Sequence, residues 1–338
     1  MAITITQTNG TVEVTSGTPD GYIVEYSNQG ATGPSGNGLA SGPFDSLQYN
    51  AAGLLAGAAK LAVGPSGNLL LETNATRPDA PTTGLSFYAR RRAGADWPEF
   101  QRPNGRDFPV QAHMGLNRVS FWAPSTSTTV NTVGIPRTLV GTASTPALAA
   151  TNLSTIARRW RVTSAATANA TADERAATAV AFRTLVGFTY TNRFSLFAVP
   201  ELSRAFFGMS ATTAAFSALT SPTALLNMVG VGFDQSTDTN WQIYHNSAAG
   251  VATKVDLGPD FVIDTSALLT LIIYCGADGD RFHVRLVNES TRAAVEYEAI
   301  ANIPAATLGL TVRNHMNNGG TAAACAYDCS GVYLETDY

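Results

Sequence analysis

Charge is the first thing this 338-residue chain lacks. Charged residues make up 14% of it, against roughly 25% in ordinary soluble domains. Thr, Ser, Ala, Asn and Gly take their place. Such a surface suits an extended β protein, or an oligomer that covers itself with its own copies. The formal net charge of −4 argues against general nucleic-acid binding, which needs a basic face. Two short basic clusters exist, Arg90-Arg91-Arg92 and Arg158-Arg159-Trp160-Arg161. Both are expected to be solvated strand or hairpin edges, because phosphate affinity needs several cations spread along a surface.

Cysteine is also scarce. Cys275, Cys325 and Cys329 cannot form a disulfide framework. On one strand, Cys325 and Cys329 would stand about 13 Å apart at roughly 3.3 Å per residue. A disulfide spans at most about 7 Å between Cα atoms, and a zinc site wants more ligands at tighter spacing. Buried, reduced thiols are expected.

No apolar run approaches the ~20 residues of a membrane helix; the longest, Leu268–Cys275, fits a buried strand. Met1 leads straight into Ile3-Thr4-Ile5-Thr6, without the basic start and apolar run of a secretory signal. Synthesis and assembly in the cytoplasm, with no membrane insertion, are the expectation. Catalytic signatures are missing too: there is no Gly-x-Ser-x-Gly elbow, His-Glu-x-x-His pair or phosphate loop. His113, His245, His283 and His315 lie far apart in sequence. The expectation is a protein that is not an enzyme and carries no cofactor or metal. Asp278-Gly279-Asp280 reads as a hairpin turn, since calcium needs roughly six to eight oxygens. Trp241, Tyr244 and Tyr274 lie in strand patterns and read as core.

What the chain does have is β patterning. Ile3 and Ile5 alternate with Thr, as do Val12 and Val14, around Asn9-Gly10. That dipeptide is a strong two-residue hairpin signal, because both turn positions need positive φ. It sets Ile5 opposite Val14. Glycine then recurs at every third position from Gly30 to Gly36, as in a collagen-like triplet or a flexible linker. Ser46–Glu72 reads as short β-segments broken by Gly53, Gly57, Gly64 and Gly67. An alternative helix over Ala51–Ala62 pays roughly 1 kcal/mol for each internal glycine. Leu85–Arg91 and Trp97–Arg102 form a strand pair around Ala93–Asp96. Ser125–Val133 is an exposed strand or a linker.

From Ile135 onward many short strands alternate with Gly, Asn and Asp turns, the pattern of a sandwich or jelly roll. The strands are expected at 155–163, 182–190, 194–199, 205–209, 226–233, 241–245, 252–257, 268–275, 282–287, 293–300, 309–313 and 323–335. Only Ala172–Ala181 invites a helix. In one hairpin the register can be specified. The four-residue loop Glu289–Arg292 sets Arg285 opposite Glu296 and His283 opposite Glu298, with Phe282, Val284 and Leu286 on the other face.

Ser46–Glu72, SLQYNAAGLLAGAAKLAVGPSGNLLLE, resembles a segment of phage tail fibres and other virion fibres. There, Leu-Gln-Tyr/Phe-Asn is followed by Gly-rich turns and a short apolar strand. The run from Thr82 to Ala123 and the head segments Leu226–Asp234, Trp241–Asn246 and Gly250–Gly258 are similar to fibre sequences as well. The resemblance implies a mainly β, elongated homotrimeric fibre with a Gly-rich N-terminal shaft and a C-terminal β-sandwich head, jelly-roll or lectin-like. Residues 1–29 are then an attachment hairpin, 30–76 the trimerising shaft, 77–134 a β neck and 135–338 the head. The implied partners are two copies of the same chain, tail or capsid proteins at the N-terminal region, and a bacterial surface glycan or protein. The implied location is the virion. The resemblance brings no catalytic residues.

Candidate receptor-contacting positions are polar residues expected in loops between strong strands: Asp234, Asp238, Asn240, Asp278, Asp280, Asn314, His315, Asn317 and Asn318. Two alternatives remain at this stage, a capsid decoration protein without a receptor and a glycan-cleaving tailspike.

Overall fold

The computed structural model describes residues 3–8, 11–16, 26–27, 46–51, 54–63, 69–92, 94–105, 107–109, 118–125, 130–184, 187–216, 221–248, 250–277 and 279–336. The Gly30–Gly36 triplets and Asp278 lie outside them. The chain divides into two compact units, Met1–Thr73 and Asn74–Tyr338.

In the first unit, β1 (Ile3–Thr8), β2 (Thr11–Ser16) and β3 (Tyr26–Ser27) form one antiparallel sheet. Ile5 pairs with Val14, as the Asn-Gly signal requires. A second antiparallel sheet holds β4 (Ser46–Ala51), β5 (Leu54–Val63) and β6 (Leu69–Leu71). The helical alternative for Ala51–Ala62 therefore gives way to a strand. A short strand, β7 (Thr73–Asn74), lies at the boundary between the two units.

The second unit begins with a small sheet of β8 (Ser86–Arg92), β9 (Ala95–Gln101) and β10 (Asp107–Pro109), ordered β10-β9-β8-β7. Two large sheets follow. Their strands are β11 (Arg118–Pro124), β12 (Val130–Val133), β13 (Arg137–Val140), β14 (Thr142–Ser144), β15 (Trp160–Thr163), β16 (Thr171–Ala176), β17 (Phe188–Ala198), β18 (Arg204–Ser210) and β19 (Met228–Asp234). They continue as β20 (Gln242–Asn246), β21 (Thr253–Asp256), β22 (Leu269–Cys275), β23 (Phe282–Asn288), β24 (Ala294–Ala299), β25 (Thr311–Asn317) and β26 (Ala326–Thr336). One sheet runs β12-β11-β26-β17-β22-β23-β24, with β14 and β15 attached beside β26; the other runs β13-β16-β25-β18-β19-β20-β21. The strands at 118–124 and 130–133, expected in a separate neck, thus join the large sheet that contains β26.

Alternation places the core between these sheets. Phe188, Tyr190, Leu271, Ile273, Val284 and Leu334 come from one inner face; Phe207, Val229, Val231, Ile243 and Val312 come from the other. Phe194 and Phe207 stack across the gap with ring centroids 4.1 Å apart. The protein is mainly β, and this unit is a two-layer sandwich.

Two local expectations need correction. Thr171–Ala176 is a strand, not a helix, because Ala172 and Ala176 fill the inner face while Asp173 and Arg175 form ion pairs on the other. Thr155, expected in a strand, lies in a single helical turn, α1 (Leu153–Ile156). Asn152 caps that turn and Thr155 closes the capping box. All three cysteines are free and buried, as expected.

Candidate functional site

The predicted hairpin register is observed: Arg285 pairs with Glu296 and His283 with Glu298. Extended sideways, this register builds two rungs on the outer face of the β22–β23 sheet. Thr189, Tyr274 and His283 form one rung; Thr191, Ile272 and Arg285 form the next. An outer face carrying Ile272 and Tyr274 needs a cover. The β8–β10 sheet supplies it, with Trp97 packed edge-on against Tyr274 at 4.3 Å between centroids.

A dense charge network holds the cover down. Glu296 accepts from both ends of the Arg90 guanidinium, at 2.6 and 3.1 Å, and from Arg92 at 2.9 Å. His283 Nε2 lies 3.4 Å from the same carboxylate. Arg92 donates to Glu99 at 2.5 Å and to Asp107 at 3.4 Å. Arg285 grips both oxygens of Asp107. Burial alone would raise the Glu296 carboxyl. The hydrogen bond from His283 and the charges of Arg92 and Arg285 outweigh it and hold the group well below the usual carboxylate range. Asp107 behaves alike: burial pushes it up, and Arg285, Arg92 and Arg77 pull it further down.

This network corrects the reading of the basic clusters. Arg90, Arg92, Arg159 and Arg161 are not solvated edges. The first two pin the cover, and the latter two share the Asp328 carboxylate, with Arg161 also lying 3.0 Å over the Phe197 ring. In each pair, both arginines are brought to one carboxylate far away in sequence.

Among the described residues, this seam borders two cavities. One, of about 240 Å³, is lined by Arg92, Trp97, Thr189, Thr191, Tyr274 and His283 over an Ile272 floor. The other, of about 190 Å³, involves Arg77, Asp107, Thr270, Arg285, Glu289 and Arg292.

The receptor positions expected from sequence are dispersed, and most are interior. Asp234 is buried at the end of β19, ion-paired to Arg204 and accepting from Ser236. Asp238 is buried and takes bonds from Tyr244 and Lys254. Asn240 donates to Asp256. Asp280 is exposed beside Arg281. Asn314, His315 and Asn317, expected in a loop, lie inside β25 and are buried. Asn318 just beyond is buried too, bonded to Thr167 and Ala323 carbonyls.

The run Asn314–Asn317 looks like a loop because Asn314 replaces an apolar residue on the inner face. Its partners come from other strands. It accepts from Asn192 at 2.7 Å and donates to Glu174 at 3.2 Å. On the other face, His315 and Arg313 share Asp173. Tyr244, Trp241 and Tyr274 are buried, in line with the core reading. Sequence reasoning missed Trp97, Thr189 and Thr191. Their only local signal is the alternation of β17 and β22, which puts Thr189 and Thr191 beside Ile272 and Tyr274 on a face that must be covered.

Among the described residues, no group of three or more His, Cys, Asp or Glu side chains is placed to hold a metal ion. No helix among them is long and apolar enough to cross a membrane.

No protein-family model and no curated protein matches the chain. Among solved structures it is similar to the protein of unknown function SO2946 from Shewanella oneidensis MR-1. That match has 14% identity and a TM-score of 0.44, over 64% of this chain and 85% of that one. It is also similar to peanut lectin with a 9mer peptide, at 12% identity and a TM-score of 0.43, over 65% and 97% of the two chains. The lectin UEA-II complexed with galactose follows at 13% and 0.43, over 66% and 99%. At these values no residue's role passes from those proteins to this chain.

Proposed function

We propose that this chain is a non-enzymatic subunit of a phage virion fibre, a homotrimer whose sandwich head adheres to the bacterial surface. The N-terminal hairpin attaches the fibre to tail or capsid proteins, and the Ser46–Glu72 sheet joins three chains. The reading rests first on the resemblance of Ser46–Glu72 and the head segments to fibre sequences. The structural observation that supports it most directly is the exposure of Leu69 and Leu70, at 56% and 48%, on a three-residue strand. Fully burying a leucine is worth about 1.5–3 kcal/mol. Two further copies around an axis would supply cover for side chains that one chain leaves in water.

Light scattering tests assembly. A mass three times the 35.4 kDa of the chain is expected, and Leu69→Asp with Leu70→Asp should return it to one. A folded wild-type monomer would remove the reading. Adhesion is tested separately by incubating the purified trimer with susceptible cells. Failure to bind would favour a decoration protein, and release of oligosaccharide from host polymer would favour a cleaving spike.

A further inference from the structure

We infer that the cavity under the Trp97 hairpin is a binding site for a single neutral pyranose ring, one terminal sugar of a surface glycan. The inference rests on the adhesive reading for its biological setting, although the pocket chemistry stands by itself. Size is the first constraint. A volume of about 240 Å³ falls below the roughly 300–1,000 Å³ of drug-sized sites. It admits one six-membered ring and no extended oligosaccharide.

The apolar part of the wall comes next. Trp97 and Tyr274 meet edge to face, and Ile272 lies beside them in the lining. Two aromatic rings set at an angle offer a flat surface and an edge to the C–H face of a sugar, which is apolar while its rim is polar. Aromatic side chains of this kind contribute large contact area with little entropy loss.

The polar part is more specific. Thr189 is 8% exposed, and its Oγ1 has no hydrogen-bond partner among the described residues. A buried hydroxyl left in this state costs free energy unless a ligand or water satisfies it. It lines the cavity together with Thr191, two residues along the same strand face, and with His283. A sugar hydroxyl can both donate to and accept from a threonine hydroxyl, whereas an apolar ligand can do neither.

Charge decides between a neutral and an acidic sugar. The guanidinium of Arg92 reaches the wall already bound to Glu99, Glu296 and Asp107. Around the cavity, Arg90, Arg92 and Arg285 are each paired with Glu99, Asp107 or Glu296, and a fourth arginine, Arg77, lies outside the lining 3.9 Å from Asp107. A carboxylated sugar would have to break one of those pairs to find a cation, and a neutral ring needs none. One such pocket binds weakly. Three pockets on one trimer would gain avidity from effective concentration.

The test uses the full-length protein and a panel of methyl pyranosides of glucose, galactose, mannose and rhamnose, with methyl glucuronide as the acidic control. Saturation-transfer NMR and tryptophan fluorescence report binding. Trp122, Trp160 and Trp241 are core residues, so a ligand-induced fluorescence change reports Trp97. At least one neutral glycoside should bind, and the glucuronide should not. Thr189→Val keeps the shape and removes the hydroxyl, and it should weaken binding about tenfold, the worth of one hydrogen bond. Trp97→Phe should abolish the fluorescence response and weaken binding while keeping an aromatic ring against Tyr274. The inference is overturned if no neutral glycoside binds, if glucuronide binds best, or if Thr189→Val binds as tightly as wild type. Sugar binding without adhesion to cells would retain the pocket and remove the adhesive reading. Adhesion unchanged in a Thr189→Val protein that has lost sugar binding would remove the pocket from adhesion.

Discussion

Replacing Arg285 by Met tests whether the charge network pins the β8–β10 cover. Met keeps most of the aliphatic stem and removes the guanidinium. Its main partner, the Asp107 side chain, is 1% exposed. Breaking a buried ion pair from one side costs about 3–5 kcal/mol, because the remaining charge stays in a poor solvent. Asp107 retains Arg92 at 3.4 Å and Arg77 at 3.9 Å, so the expected loss is smaller, about 2–3 kcal/mol. Adding Asp107→Leu removes the stranded carboxylate. Arg90 and Arg92 then still face Glu99 and Glu296, two charges against two, and Arg77, 43% exposed, is left in water. The double variant should therefore lie within about 1 kcal/mol of wild type, since a well-packed apolar pair replaces a buried ionic one at little cost. Urea unfolding followed by circular dichroism and tryptophan fluorescence gives the four corners of the cycle. The reasoning fails if Arg285→Met is silent, or if the double variant loses as much as the two single variants added together.

Acid should act on the same seam. Glu296 and Asp107 have depressed folded pKa values, so their stabilisation is present above the unfolded values near 4 and is lost as pH falls through the folded ones. The urea midpoint should drop below about pH 4, and Glu296→Gln should flatten that drop; an unchanged slope would contradict the assignment. Burial pushes the Cys275 thiol up to about 12 and raises Cys325 and Cys329. Because the thiolate is the reactive form, a thiol reagent at pH 8 should find no reactive cysteine in the native protein and three after unfolding. Gly230→Ala should destabilise by about 1–3 kcal/mol, because its Cβ would stand 2.3 Å from the Phe207 carbonyl and 2.9 Å from Gly208 Cα; a neutral effect in urea unfolding would show that the two strands can separate. Phe207→Ala removes a ring stacked on Phe194 and touching Trp241 and Tyr327, and should cost about 3–5 kcal/mol by the same assay.

Legibility followed the range of the signal. Asn9-Gly10 specifies a two-residue turn, so Ile5 against Val14 could be read directly. The Glu289–Arg292 loop did the same for Arg285 and Glu296. Thr171–Ala176 went the other way. Its alanines suit a helix in isolation, and only the space beneath β16 and its pairing with β25 make it a strand. Asn314–Asn317 was read as a loop for a related reason. A polar run says nothing about partners contributed by residues 140 positions away, and it is those partners, Asp173 and Glu174, that let the run be buried in a strand.

The candidate site was the least legible part. Trp97 sits in a hairpin, Thr189 in a long strand and His283 in another, and no spacing links them. The sequence alone determined the class of the protein: β patterning, two hairpin registers, buried thiols and a chain without a local catalytic signature. Those follow from alternation and turn chemistry, which act over a few residues. The tertiary structure decided which charges are paired, which polar residues are interior, and that a cover over the β22–β23 sheet borders a pocket. Burial and long-range pairing are properties of the packed layers, and no window of the chain contains them.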